Sequence, residues 1–569
     1  MASNAGGPGI GEILQQLYGQ ARGRRALEKI EALLSSWPEP DPDRHPGFSQ
    51  SDMVLITYGD SLRDGRRPPL QVLYDFALKH FKDIFSAIHL LPFFPYSSDD
   101  GFAVIDYMKV NPDLGTWEDI RRFRDHFELM FDFVLNHISS RSPWFRAYLE
   151  GRPGFENLAI EITADTDTSR VVRPRALPLA TTFRKADGTE VDLWTTFSAD
   201  QIDLNYKDIQ VLVRMIEVML FYVRQGARIL RLDAVAYLWK ESGTSCIHLP
   251  QTHKVVQLLR AILDRVAPEV IIITETNVPH QENISYFGDG YNEAQMVYNF
   301  TLPPMLLHTF LTRDAGPLSR WASGLKAPSE RTAFFNFTAS HDGIGVRPLE
   351  GILPPEAIEF LVRAVRQNGG LVSYRANPDG SRSPYELNIT YVDAMKNPGL
   401  QDDPLHIRRF LASQAIQLCL PGVPAVYIHS VLGTRNYYEG VEESGQARRI
   451  NRRKLDLDRL HAQLQDPASF RSQIFYPYLE MLKLRRNQPA FDPGAEMKVY
   501  DKGKRVFACR RSCRQQDLWC LVNVSDQPVE ISLKDECGSQ PLSSLAGRTG
   551  IDSRAIRLEP CRWLWLEAR

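Results

Sequence analysis

Hydrophobic residues recur at two spacings along this chain. Short apolar runs, of the kind buried strands use, alternate with stretches of helical period such as Val211 to Val223 and Val255 to Val266. The short runs predict eight strands: Met53–Tyr58, Ala87–Leu91, Leu129–His137, a run opening at Gly226, Val270–Thr274, Met296–Phe300, Ala333–Phe337 and Ala425–Ile428. Strands alternating with helices in this way predict an α/β fold, a (β/α)8 TIM barrel. The fourth strand, in GARILRLDAVAY, organises the rest. Its period of two sends Arg231 and Asp233 to one face, and burying two charges there costs several kcal/mol unless they pair. A purely structural ion pair would satisfy that stretch alone. However, DFVLNH (Asp132 to His137), VIIITET (Val270 to Thr276) and FNFTASHD (Phe335 to Asp342) also bring acids or histidine to strand C-termini. That is the end of a barrel where active sites are built.

Outside the barrel the pattern changes. Residues 1–50 predict an N-terminal helical extension, interrupted at Gly19 and Gly23 and followed by a linker carrying Pro38, Pro40, Pro42 and Pro46. The barrel region, 51–490, holds two excursions far longer than an ordinary βα loop: an inserted loop subdomain at about 139–206 and a long loop at about 343–401. The second contains the turn signal PDG within YRANPDGSRSPYE. From 491 to 569, short alternating runs such as RVFACRR, LWCLVNV and WLWLEA predict a C-terminal all-β domain. After the second strand, PFFPYSSDDGFAVIDY is polar at its centre and aromatic at both ends. Carboxylates such as Asp99 and Asp100 beside Phe102 suit a sugar, whose C–H faces stack on rings while its hydroxyls bond acids.

Composition narrows the class. The chain has 569 residues, 43% of them hydrophobic and 24% charged, with a formal net charge of -2. This balance calls for neither nucleic acid nor a membrane surface. The N-terminal stretch lacks the basic-then-apolar order of a signal peptide, and no apolar run is long enough to span a bilayer, so a cytoplasmic protein is expected. Of the seven cysteines, Cys509 and Cys513 have metal-pair spacing, but no second pair follows; free thiols are expected.

DFVLNH, ILRLDAV, TET and SHD, in this order on strands three, four, five and seven, resemble the four signature regions of the α-amylase superfamily of retaining α-glucoside enzymes. DAVAYLWKESGTSC, SHDGIGV and INR (Ile450 to Arg452) are similar to its sucrose phosphorylase branch. WTTFSADQIDLNY, TETNVPH and NPDGSRSPYE most resemble the bacterial glucosylglycerate phosphorylases within it. The resemblance implies Asp233 as nucleophile, Glu275 as acid/base and Asp342 as transition-state stabiliser. It also implies Arg231 orienting Asp233, and His137 and His341 bonding glucosyl hydroxyls. Asp99 with Arg452 would hold the far hydroxyl, Arg448 being the rival arginine; Phe102 would be the platform under the ring and Tyr237 a pocket wall. Asn136 matches a position that supports calcium in many amylases, but this branch implies no metal and no cofactor, phosphate being a substrate. The implied partners are an α-glucoside and phosphate, for a monomer or homodimer. Arg347, Arg375 and Arg382 are candidates for binding phosphate or an anionic acceptor, since a guanidinium fork matches both carboxylate and phosphate. A glucosidase or transglucosylase, and a catalytically dead barrel, remain alternatives at this point, as do sucrose, sucrose 6-phosphate and glucosylglycerol as substrates.

Overall fold

In the computed structural model, residues 8–40, 46–377, 380–538, 541–547 and 549–568 are described. Pro42 of the linker and Pro378 and Asp379 of the PDG turn fall outside them. Eight parallel strands close into a barrel: β1 (Val54–Thr57), β2 (Ala87–Leu90), β3 (Glu128–Phe133), β4 (Ala227–Leu232), β5 (Ile271–Thr274), β6 (Met296–Tyr298), β7 (Ala333–Phe337) and β8 (Val423–Tyr427). Each pairs with its sequence neighbour, and β8 returns to β1. Near-continuous apolar runs such as Ile271–Thr274 are buried along their whole length, as expected for strands covered on both faces.

The third strand is shorter than its apolar run predicts. It ends at Phe133, and His137 instead begins a short strand, His137–Ser139, antiparallel to Gln201–Asp203. The apolar residues Val134 and Leu135 are buried as well, so periodicity alone could not separate the two strands.

The described residues of the long excursions form helices and sheets of their own. Residues after Ser139 form a helix, Pro143–Leu149, and a three-stranded sheet of Glu161–Ile162, Glu190–Trp194 and Ala180–Arg184. Beyond β7, Ile344–Gly345, Arg382–Asn388 and Leu371–Ala376 form a second three-stranded sheet. The first two helices, Ile10–Tyr18 and Gln20–Leu34, pack on the barrel exterior, where the Tyr18 hydroxyl donates to the Tyr206 carbonyl at 2.7 Å. Only Gly19 breaks them. Gly23 lies inside the second helix, where an added Cβ would come within 2.8 Å of the Leu14 carbonyl, so that glycine permits a close helix crossing rather than a break.

At the C-terminus six strands form one sheet, including Glu496–Asp501, Val506–Ser512, Asp517–Asn523 and Trp563–Ala568. All seven cysteines are free. Cys509 gathers with Cys419 of the barrel and Cys520 of the neighbouring strand, not with Cys513. No helix among the described residues is long and apolar enough to cross a membrane.

Candidate active site

Parallel registration carries the site. Leu232 of β4 lies beside Thr274 of β5, so the residues that follow, Asp233 and Glu275, leave the barrel rim side by side. Adjacent strands are about 4.8 Å apart, which sets the scale of the separation between the two carboxyl groups. The chain turns sharply after Asp233. Ala234 takes a left-handed conformation (φ 50°), and its N–H donates to Glu275 Oε2 at 3.1 Å. A non-glycine residue held there marks a geometry that the surrounding structure enforces.

Arg231 is fully enclosed and shared. Its Nη1 lies 2.6 Å from Asp233 Oδ1 and 2.5 Å from Asp132 Oδ1, and its Nη2 lies 3.9 Å from Glu275 Oε2. Asp132 is braced in turn by His89 Nε2 at 2.7 Å. Thus the pairing that buried charge demands is met by a chain from His89 through Asp132 and Arg231 to Asp233. Burial pushes Glu275 up to about 7; Arg231 opposes the rise, while Asp233 and Asp342 add to it. Burial also raises Asp233, against the pull of Arg231 and His137. The two carboxyl groups titrate together, and the much closer guanidinium places the negative charge on Asp233 and the proton on Glu275.

Asp342 is held far below the ordinary carboxylate range. Burial opposes its ionisation, but Arg448, His341 and Arg452 outweigh it. Arg448 reaches Asp342 Oδ1 at 2.9 Å and binds Glu386 through two contacts, at 3.0 and 2.5 Å. His341 stacks on Phe102 with ring centroids 4.8 Å apart and planes 4° from parallel, and burial depresses it to about 3, so it is neutral. His137, also kept neutral by burial, donates from Nε2 to the Phe102 carbonyl at 2.9 Å and accepts at Nδ1 from the Asn136 amide at 3.2 Å.

Asp233, Glu275, Asp342, Asp99, Phe102, His137, Arg231, Tyr237 and His341 line a single cavity. Of the two rival arginines, Arg448 and Arg452, it is Arg448 that lies on its wall. Arg452 is fully buried behind it, 2.9 Å from Asp100 Oδ2 and 3.5 Å from Asp99 Oδ1. Asp99 itself is contacted by Arg175, at 3.3 Å. Burial opposes ionisation of Asp99, but Arg175, Arg452 and Arg448 hold it at about 2. Arg347 and Arg375 lie outside the lining, and Arg382 is exposed on its strand.

The inserted segment supplies wall residues that sequence reasoning had not singled out: Arg175, Phe197 and Gln201, joined by Asn277, Tyr385 and Glu386 from other loops. Phe197 and Gln201 fall inside WTTFSADQ, and Tyr385 with Glu386 closes NPDGSRSPYE, so the segments carried the signal even though the individual residues did not. Arg175 sits in a Pro-rich stretch with no local pattern to mark it.

Asn136 is held from both sides. Its Oδ1 accepts from Lys240 Nζ at 2.7 Å, its Nδ2 donates to Asp203 at 3.2 Å, and Lys240 also pairs with Asp203. All three are buried. Lys240→Met should therefore destabilise the fold by about 3 kcal/mol, because it strands the Asp203 carboxylate in the interior. Denaturant unfolding of the two proteins measures this, and a loss below about 1 kcal/mol would contradict it.

Comparison with known proteins agrees with the geometry. Residues 77–312 match the model of the alpha amylase catalytic domain. A glucosylglycerate phosphorylase of Spirochaeta thermophila is 50% identical over 90% of this chain and 88% of its own. One from Escherichia coli K12 is 44% identical over 98% and 99%. The crystal structure of sucrose 6F-phosphate phosphorylase from Thermoanaerobacter thermosaccharolyticum superposes with a TM-score of 0.73 at 27% identity, covering 83% of this chain and 94% of that one.

Proposed function

Because this chain belongs to the α-amylase superfamily, and within it to the family of the glucosylglycerate phosphorylases, we propose that it converts 2-O-α-D-glucosyl-D-glycerate and phosphate to α-D-glucose 1-phosphate and D-glycerate. Asp233 attacks the anomeric carbon while Glu275, still carrying its proton, protonates the departing glycerate oxygen. Phosphate then gives its proton to Glu275 and attacks the anomeric carbon from the side that glycerate left, breaking the ester bond to Asp233 and restoring both carboxyl groups. The observation that supports this reading is the pair of carboxyl groups on adjacent strand ends, differently placed against one arginine. A spacing of about 5 Å leaves no room for a water between nucleophile and anomeric carbon, so two displacements and retention follow. Asp342 and the wall around Phe102 and His341 would hold the glucosyl ring.

Incubation of the full-length protein with glucosylglycerate in excess phosphate tests it. The expected product is the α-anomer of glucose 1-phosphate, exceeding free glucose by at least about tenfold, equivalent to roughly 1.4 kcal/mol between competing barriers. A β-product by NMR would refute the double displacement. Predominant free glucose would refute phosphorolysis and leave a retaining hydrolase.

A further inference from the structure

Three cysteines far apart in sequence meet where the barrel rests on the C-terminal sheet. Cys419 is the last residue of the helix His406–Cys419, which leads into the N-terminal end of β8. Cys509 and Cys520 sit directly opposite one another on the antiparallel strands Val506–Ser512 and Asp517–Asn523. The three sulfurs all lie within 4.8 Å of one another, Cys419 Sγ and Cys509 Sγ being 3.8 Å apart, and all three residues are fully enclosed. The cluster is therefore at the end of the barrel opposite to the catalytic carboxylates, where residues serve stability rather than chemistry. Thiols acting as small apolar side chains would account for the burial, but not for the charges beside them.

Two arginines flank the cluster without an acid of their own. Arg511 and Arg485 are both fully buried. Arg511 Nη1 donates to the Cys419 carbonyl at 2.8 Å and Nη2 to the Asp492 carbonyl at 2.6 Å, while its Nε has no partner among the described residues. Arg485 reaches the neighbouring Leu418 carbonyl at 3.5 Å and the Phe491 carbonyl at 3.0 Å. Their remaining bonds also go to backbone carbonyls, and among the described residues neither guanidinium forms an ion pair with a carboxylate. Beyond its burial, Arg511 is the charge acting most strongly on Arg485, ahead of Asp52 and Asp492. A guanidinium does not lose its proton in a protein, so enclosing two of them side by side calls for negative charge nearby.

We propose that Cys419, Cys509 and Cys520 form a trigonal thiolate site for a soft metal ion, Cu(I), which ties the barrel to the C-terminal domain. Three sulfurs about 2.3 Å from one metal lie about 4 Å from each other, so closing the cluster needs shifts of less than about 1 Å. Binding leaves the copper monovalent, forms three Cu–S bonds and releases three thiol protons to solvent. The resulting trithiolate carries two negative charges, which the two guanidinium groups match. Ionising Cys419 forfeits only its weak bond to the Ile416 carbonyl, at 3.2 Å. Thiolates select Cu(I) and Zn(II), but structural Zn(II) takes a fourth ligand, and no further histidine, cysteine or carboxylate joins the group among the described residues. The ion is structural and takes no part in glucosyl transfer.

Titration of the full-length protein, reduced and anaerobic, with Cu(I) buffered by a competing chelator tests the site. Uptake is read by metal analysis after desalting and by the thiolate-to-copper charge-transfer band in the ultraviolet. C513S/C537S removes the two thiols that are only half-buried. It should still take up one equivalent of Cu(I) and melt at a higher temperature than its metal-free form. On that background C419A should weaken uptake at least about hundredfold, more than the loss of an outer-shell partner. C520A should do the same from the other side of the interface and serves if C419A fails to fold; melts of the metal-free proteins verify folding. C561A, which removes a buried thiol outside the cluster, should leave uptake unchanged. X-ray absorption of copper-loaded C513S/C537S should show three sulfur neighbours, a readout that needs no change to the cluster. Failure of folded C513S/C537S to bind Cu(I), uptake unaffected by C419A or C520A, two sulfurs instead of three, or tighter binding of Zn(II) in the same assay would each overturn the assignment.

Discussion

Asp233→Asn should lower kcat for glucose 1-phosphate formation by at least about 10⁴-fold, some 5.5 kcal/mol, while the protein stays folded. The amide keeps the shape of the carboxylate but cannot form the glucosyl ester. Folding should survive because Arg231 retains its 2.5 Å contact with Asp132, itself braced by His89. Turnover measured with glucosylglycerate and phosphate, alongside a thermal melt, tests both halves. Wild-type rates in a folded variant would remove Asp233 from the chemistry, and an unfolded variant would show that the Arg231 network cannot spare it.

Glu275→Gln should cost about 10³-fold in kcat/KM, roughly 4 kcal/mol, and should also change the shape of the pH profile. On the proposed mechanism, protonated Glu275 is the form that assists departure of the aglycone. With Glu275 raised to about 7, the rate of glucosyl transfer from glucosylglycerate should be level below that pH. Above it the rate should fall, approaching tenfold per pH unit as the acid form is lost. Glutamine has no proton to lose in this range, so the alkaline limb should disappear from the variant. If that limb persists in Glu275→Gln, another group is the acid.

The barrel and its three carboxylates were legible because each rests on a local pattern: an apolar run ending in a polar residue. Asp233 and Glu275 follow directly on their strands, and Asp342 lies five residues beyond Phe337, the last residue of β7. The rest of the site is assembled by contacts across long stretches of chain. Asp99 meets Arg175 from the insertion, and Arg448 meets Glu386 from the loop beyond β7. No periodicity records which loop residue folds inward. The same limit explains the third strand, where one unbroken apolar run covers both β3 and the start of a second strand. It also explains Arg452, whose place behind the wall depends on Asp100 rather than on its own surroundings in sequence.

Lys240 has a consequence for how this fold tolerates its surroundings. A bound ion stabilises a protein only while its free concentration exceeds its dissociation constant, so stability drains away on dilution or in the presence of a chelator. The ammonium lodged between Asn136 and Asp203 is covalently part of the chain, so it obeys no mass action. The wall next to His137 therefore keeps this support without depending on any dissociable ion.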